Sequence, residues 1–208
     1  MRFEDWEPPH YLAICETFGF DPEDDETAAR LLATLSSADD SVMLAKRING
    51  ETVTVCGNAP SLLSEVDTIE GTVLAADAAA DVLFNTGILP DAVFTDLDGA
   101  EDSFFEMNRQ GSVMVVHGHG DNVPLLRHWV PRFEGPLVLS CQTRPFGHLH
   151  NWGGFTDGDR AAFAADALGA AEVRFVGFDL DDRSVPPMKR GGKLLWARDL
   201  LSLIGHDL

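Results

Sequence analysis

The chain has 208 residues, 45% of them hydrophobic, and a net charge of −19 carried with only three lysines against twelve arginines. That length predicts one folded domain with a sizeable core, and the charge excludes nucleic acid and anionic membranes as partners; any phosphate site must gather its own arginines, backbone N–H groups or metal. No run nears the ~18 apolar residues of a membrane span, and the N-terminus lacks a signal-peptide pattern, so a cytoplasmic protein is expected. Excess aspartate with scarce lysine suggests a high-salt cytoplasm that screens self-repulsion.

Residues 1–48 predict a helical N-terminal segment packed on a main domain that occupies residues 49–208. A first helix runs through Trp6–Cys15, with Pro8 or Pro9 suited to its first turn. After an acidic loop, Asp21–Glu26, Thr27 is expected to cap a second helix through Leu31, Leu32 and Leu35. This segment carries no obvious chemistry. From Thr52, short β-branched runs alternate with helix-length polar stretches, which predicts an α/β fold: a doubly wound, mostly parallel, Rossmann-like sheet of six or more strands. The expected strands are Thr52–Cys56, Thr72–Ala75, Ala92–Thr95, Val113–His117, Leu137–Ser140 and Val173–Gly177. Helices at Glu101–Arg109, Val123–Trp129 and Asp159–Leu168 are expected to return the chain. Cys15, Cys56 and Cys141 lack metal-ligand spacing, and the latter two read as small buried thiols.

Every expected strand is followed by polar residues, and in an open α/β sheet ligands bind outside the carboxyl ends of the strands. The first cluster, Gly57-Asn58-Ala59-Pro60-Ser61, opens a helix: its small residues admit close backbone approach, the helix start can hold an anion, and Ser61 can cap. Asp77 follows the second strand, as a ligand-facing carboxylate, a helix cap or both. The third strand runs into Thr95-Asp96-Leu97-Asp98-Gly99. If the backbone stays extended, Asp96 and Asp98 share one face roughly 7 Å apart at the backbone. Two such charges about 5 Å apart repel by on the order of 3 kcal/mol, which a divalent cation would turn into attraction.

His117-Gly118-His119-Gly120-Asp121-Asn122 places two imidazoles on a glycine-freed backbone, with Asp121 in reach of a metal held by Asp96 and Asp98. Zinc is the alternative there, but no cysteine or H-E-x-x-H partner accompanies the pair. Gly153-Gly154-Phe155-Thr156-Asp157-Gly158-Asp159-Arg160 joins a glycine-rich loop to a helix start. Capping explains Thr156, Asp157 and Asp159 but not the glycines, so a substrate or nucleotide loop is expected. Arg160, Arg144 and Lys193 are the cations best placed to meet phosphate.

Together these blocks resemble the archaeal 6-hydroxymethyl-7,8-dihydropterin pyrophosphokinases, themselves distantly similar to thiamin pyrophosphokinases. The resemblance rests on the Gly57–Leu62 block, Ala76-Asp77, Pro90-Asp91 with Thr95–Gly99, the His117–Asn122 and Gly153–Arg160 blocks, Gly177-Phe178-Asp179 and Lys193-Leu194, in family order from about residue 50. It implies magnesium-dependent transfer of diphosphate from ATP to the hydroxymethyl oxygen of a reduced pterin, releasing AMP, in archaeal tetrahydromethanopterin or folate synthesis. On that resemblance Asp96 and Asp98 hold Mg²⁺, with Asp77 or Asp121 as a further ligand. Gly57, Asn58, Ser61, Asp77, Asn122, Thr156, Asp159 and Arg160 bind ATP. The catalytic group is Asp96, Asp98, His117, His119 and Asp121, the histidines orienting or deprotonating the acceptor hydroxyl. Phe155, Trp152 and Asn122 are the residues expected to form a pterin slot. The implied partners are ATP and a reduced pterin; a homo-oligomer is compatible with them. The competing readings are a thiamin pyrophosphokinase-like enzyme, a sugar transferase of the flagellin-modification type, whose relatives are usually much larger, and a non-catalytic nucleotide-binding module.

Overall fold

The computed structural model describes residues 3–181 and 189–208; Met1, Arg2 and the segment 182–188 lie outside the described residues. Seven strands form one parallel sheet: β1 (Thr52–Cys56), β2 (Thr72–Ala76), β3 (Ala92–Thr95), β4 (Val113–Gly118), β5 (Leu137–Cys141), β6 (Leu149–His150) and β7 (Glu172–Val176). Their order is β6-β5-β4-β3-β2-β1-β7. The six expected strands are all present. The added β6 has two residues, too few to leave any alternation in the sequence. Along the sheet the chain steps one way from β1 to β6 and then returns to the far side of β1, so the order reverses between β1 and β7.

Strand side chains alternate between two covered faces. Cys56, Val73, Ala75, Val93, Met114 and Val116 pack under one helical layer: α3 (Pro22–Leu35), α5 (Leu62–Glu65), α6 (Ala79–Asn85), α7 (Ser103–Arg109) and α8 (Val123–Trp129). Val53, Val55, Leu74, Phe94 and Val115 pack under α4 (Ser41–Ile48), α9 (Asp157–Ala167) and α10 (Leu195–Leu203). This two-sided burial is why the strands read as near-continuous apolar runs. The alanines of α9 let it lie against β1, β2 and β3 as it carries the chain back across the sheet.

The first two short helices, α1 (Phe3–Trp6) and α2 (Leu12–Phe18), are joined by a π-helical turn, Glu7–Tyr11, that holds Pro8 and Pro9. Trp6, Tyr11, Ile14 and Cys15 bury themselves against Phe155, Phe163 and Leu200. The second helix starts earlier than expected. Asp21 is its N-cap, accepting a hydrogen bond from the Glu23 N–H at 2.9 Å, and Pro22 occupies the first helical position. The stretch Asp21–Glu26 is therefore a helix start whose carboxylates face the positive end of the dipole. All three cysteines are free and buried. Among the described residues no helix is long and apolar enough to cross a membrane.

Candidate functional site

Two cavities that share a wall open at the carboxyl ends of β1, β2, β3, β4 and β7, beside an open groove edged by Asn58, Ala78, Gly99 and Glu101. The larger, about 270 Å³, lies over the β1–β7 reversal and is lined by Gly57, Asn58, Asp77, Asp98, Thr156, Asp157, Phe178 and Asp179, among others. A smaller one, about 150 Å³, lies over β4 and the start of α3, against Phe20, Asp24, His119, Asp121 and Gln142. Asp96, Phe155, Arg160 and Lys193 line both. The crevice beside a strand-order reversal is where this sheet architecture binds ligands.

The backbone is bent sharply where the carboxylates converge. Leu97 sits at φ +72° and Asp77 at φ +46°, left-handed values that residues other than glycine rarely adopt. The extended geometry expected for Asp96-Leu97-Asp98 is therefore replaced by a turn: β3 ends at Thr95, the Thr95 hydroxyl accepts the Leu97 N–H at 2.7 Å, and Leu97 is buried. Asp98 N–H donates to Asp96 Oδ1 at 3.1 Å. Asp77 does not cap α6; its carboxylate accepts from the Thr95 hydroxyl at 2.6 Å, which turns it toward β3.

Three carboxylates, Asp77, Asp96 and Asp157, bring oxygens within 4.8 Å of one another. Burial raises Asp77 to about 6, against the Thr95 hydrogen bond and with the charges of Asp96 and Asp98 adding to it. Burial also pushes Asp157 well above the ordinary carboxylate range, helped by Asp96 and opposed by Arg160, whose Nη1 lies 3.0 Å away. Burial acts on Asp96 in the same direction, but the His119 hydrogen bond and the charges of Arg160 and His119 outweigh it and hold Asp96 low. Asp98 is raised by burial and by its neighbour Asp96. Crowded oxygen donors that resist ionising together suit a hard divalent cation, so the residues fit magnesium.

Asp157 was expected only as a helix cap. Thr156 and Asp159 complete the capping box by themselves: Thr156 N–H and its hydroxyl both donate to Asp159 Oδ1, and Phe155 N–H donates to Asp159 Oδ2. A box needs only its first and fourth residues, so the aspartate in between was the available signal. Asp159 itself is fully buried and lines neither cavity described above. Arg160, one turn into α9, is 8% exposed, and its Nε has no hydrogen-bond partner among the described residues. The loop folds back over it because Gly154 lacks a side chain: at φ +91° an added Cβ would lie 2.7 Å from the Arg160 backbone.

The histidines have different tasks. His119 Nδ1 accepts from the Asp121 N–H at 3.3 Å, so the hydrogen on Nε2 faces Asp96 Oδ2, also at 3.3 Å. His117 is buried behind it, 3.0 Å from the Ser140 hydroxyl, and burial keeps its imidazole neutral. Asn122 is spent on the fold: its amide donates to the Asp96 and His117 carbonyls and accepts from the His119 N–H. Trp152 stacks on His150 away from both cavities. Ser61 starts α5, but its buried hydroxyl has no partner among the described residues, and Ser61 lines neither cavity. Asp98 lies outside the three-carboxylate group, and Asp121 faces the smaller cavity. Arg144 pairs with Glu4 instead.

Residues 27–184 match the family model described as 6-hydroxymethylpterin diphosphokinase MptE-like. The 6-hydroxymethyl-7,8-dihydropterin pyrophosphokinase of Pyrococcus furiosus is 40% identical, over all of this chain and 96% of its own length. The chain belongs to this family. A pyrophosphokinase of the same name from Methanothermobacter thermautotrophicus is 39% identical over 83% of the chain and 76% of its own length, and one from Methanocaldococcus jannaschii 33% over 86% and 80%. Among solved structures, the MAf glycosyltransferase of Magnetospirillum magneticum superposes with a TM-score of 0.51 at 19% identity, over 81% of this chain but 34% of that one. That likeness is one of fold. In this MptE-like chain the matched span begins within α3, so the family's common core takes in part of the N-terminal helical segment as well as the sheet.

Proposed function

We propose that the protein transfers diphosphate from ATP to 6-hydroxymethyl-7,8-dihydropterin, giving AMP and the pterin diphosphate. The observation that carries this reading is the whole-length similarity to the Pyrococcus furiosus pyrophosphokinase. The geometry agrees with it, since two cavities meet at Asp96 and Arg160 as a two-substrate transfer requires.

In this reading ATP occupies the larger cavity. The Gly57–Ala59 turn brings backbone close to it, which a side chain at Gly57 would prevent, because a Cβ there would stand 2.6 Å from the Gly177 carbonyl oxygen. Asp77, Asp96 and Asp157 would hold Mg²⁺, which when bound neutralises phosphate oxygens. Arg160 and Lys193, at the shared wall, face the triphosphate in an otherwise acidic protein. The acceptor oxygen attacks the β-phosphorus, the bond from that phosphorus to the bridging oxygen of AMP breaks, and the hydroxyl proton is released. Phosphoryl chemistry of this kind is positioning and charge stabilisation more than proton transfer. His119, committed to Asp96 through Nε2, orients that carboxylate instead of serving as a base. The test is AMP release from ATP and Mg²⁺ with a panel of acceptors. Turnover with thiamin but not with the pterin would reassign the enzyme.

A further inference from the structure

The N-terminal helical segment carries no chemistry in sequence, yet it builds one wall of the smaller cavity. Asp25, at the start of α3, is 4% exposed and accepts three hydrogen bonds: from Gly120 N–H at 2.8 Å, from the Tyr11 hydroxyl at 2.8 Å and from Gln142 Nε2 at 2.6 Å. It thereby pins the N-terminal helices, the loop after β4 and the end of β5 to one another. Gly120 allows this closeness, since a Cβ there would stand 2.7 Å from Asp24 Cβ. Asp24 is exposed, lines the cavity and makes no side-chain hydrogen bond or ion pair among the described residues. The same cavity has aromatic rings: Phe18, Phe20 and Phe155 form a cluster with centroids 5.1–6.5 Å apart, and Phe20 and Phe155 line the cavity.

Charge does not separate the two cavities: each is lined by five aspartates, and they share the cations Arg160 and Lys193. Their other lining differs, with close-packed backbone at Gly57, Gly158 and Gly177 in the larger and the Phe20 ring beside the Asp24 carboxylate in the smaller. A flat, uncharged heterocycle rich in amino and ring N–H donors would find an aromatic wall and a free carboxylate acceptor.

We infer that this smaller cavity is the acceptor subsite, holding the pterin ring against Phe20 and Phe155 with its amino and ring N–H edge donating to Asp24. The inference rests on the proposed diphosphokinase reading and adds the place of the second substrate. Asp25 is a positioning residue, acting through the wall it holds. Steady-state kinetics with each substrate varied, on wild type, Asp24→Asn and Phe20→Ala, tests it. Asp24→Asn keeps the shape of an exposed side chain, and its fold is checked by an unchanged melting temperature. Each variant is expected to raise KM for the pterin, Asp24→Asn by about tenfold or more, with KM for ATP within about twofold of wild type. Turnover by wild type with pterin KM unmoved in both variants would overturn the subsite alone. So would a rise confined to the KM for ATP. Wild type that binds ATP but makes no pterin diphosphate would overturn the function reading and the subsite with it.

Discussion

The cavities on either side of Asp96 are made from different materials. Over β1 and β7 the wall adds to its carboxylates backbone brought close by glycine, with Gly57, Gly158 and Gly177 so tightly packed that a Cβ on any of them would meet an atom within 3.0 Å. Over β4 and α3 the wall adds to its carboxylates the Phe20 ring and the Gln142 amide. Backbone N–H groups bind phosphate whatever the protein's net charge. Both walls carry five aspartates and share Arg160 and Lys193, so in the proposed reading the close backbone over β1 and β7, not charge, marks the nucleotide's rim. The shared residues, Asp96 and Arg160, stand where the two chemistries must meet.

The largest expected effect therefore falls on the shared wall. Asp96→Asn keeps the shape and an acceptor for the Asp98 N–H but loses the acceptor that faces His119 Nε2–H and removes one of three converging carboxylates, so kcat should fall by at least about a hundredfold. Comparable turnover in the variant would remove the carboxylate cluster from the mechanism. Arg160→Lys should cost less, on the order of tenfold in kcat/KM for ATP, because a lysine keeps charge but loses the planar fork that meets both Asp157 and a phosphate. If the arginine serves only to neutralise Asp157, lysine would restore full activity.

A stability measurement sharpens the same contrast without turnover. Asp77 has a folded value near 6 against an ordinary 3.8, so between those values the folded state binds the proton more tightly than the unfolded one. Its contribution to stability falls as pH rises through that window and stays lost at pH 7.5. Asp77→Asn, which still accepts from Thr95, should then be more stable than wild type in EDTA at pH 7.5, by up to about 3 kcal/mol. That advantage should shrink toward pH 5. Because the comparison is between two proteins at each pH, the opposite contribution of buried His117 cancels. Added Mg²⁺ should reverse the order, stabilising wild type alone; urea midpoints with and without the cation give the answer. A variant less stable than wild type in EDTA at pH 7.5 would mean that the cluster bears no strain.

Much of this architecture is legible in the amino-acid order, because a buried parallel strand has to be an apolar run and each run here ends in residues that chemistry, not packing, would choose. Thr52–Cys56 and Ala92–Thr95 match residue for residue. The losses have physical causes. Local periodicity gives the backbone no warning that Leu97 turns left-handed, so Asp96 and Asp98 were expected on one extended face, whereas only Asp96 joins the three-carboxylate group. The approach of Asp157 to Asp77 joins residues 80 apart through the return of α9 across the sheet, which no local pattern encodes. The wall formed by α3 was hidden for a similar reason: Asp21-Pro22 reads as a loop until it is seen as a cap and a first helical residue.

The smallest expected effect marks the edge of the larger cavity. Ser61 belongs to the glycine-rich block after β1 and was expected to touch ATP, yet its hydroxyl is buried without a partner among the described residues and outside the cavity lining. A buried, unpaired hydroxyl costs stability, so Ser61→Ala should leave KM for ATP within about twofold and stabilise the fold by roughly 1 kcal/mol. A tenfold rise in KM would mean that the helix start, and not only the turn before it, holds a phosphate. Phosphate recognition on that rim would then extend beyond the glycine turn, and the contrast with the cavity edged by Phe20 and Asp24 would weaken at that point.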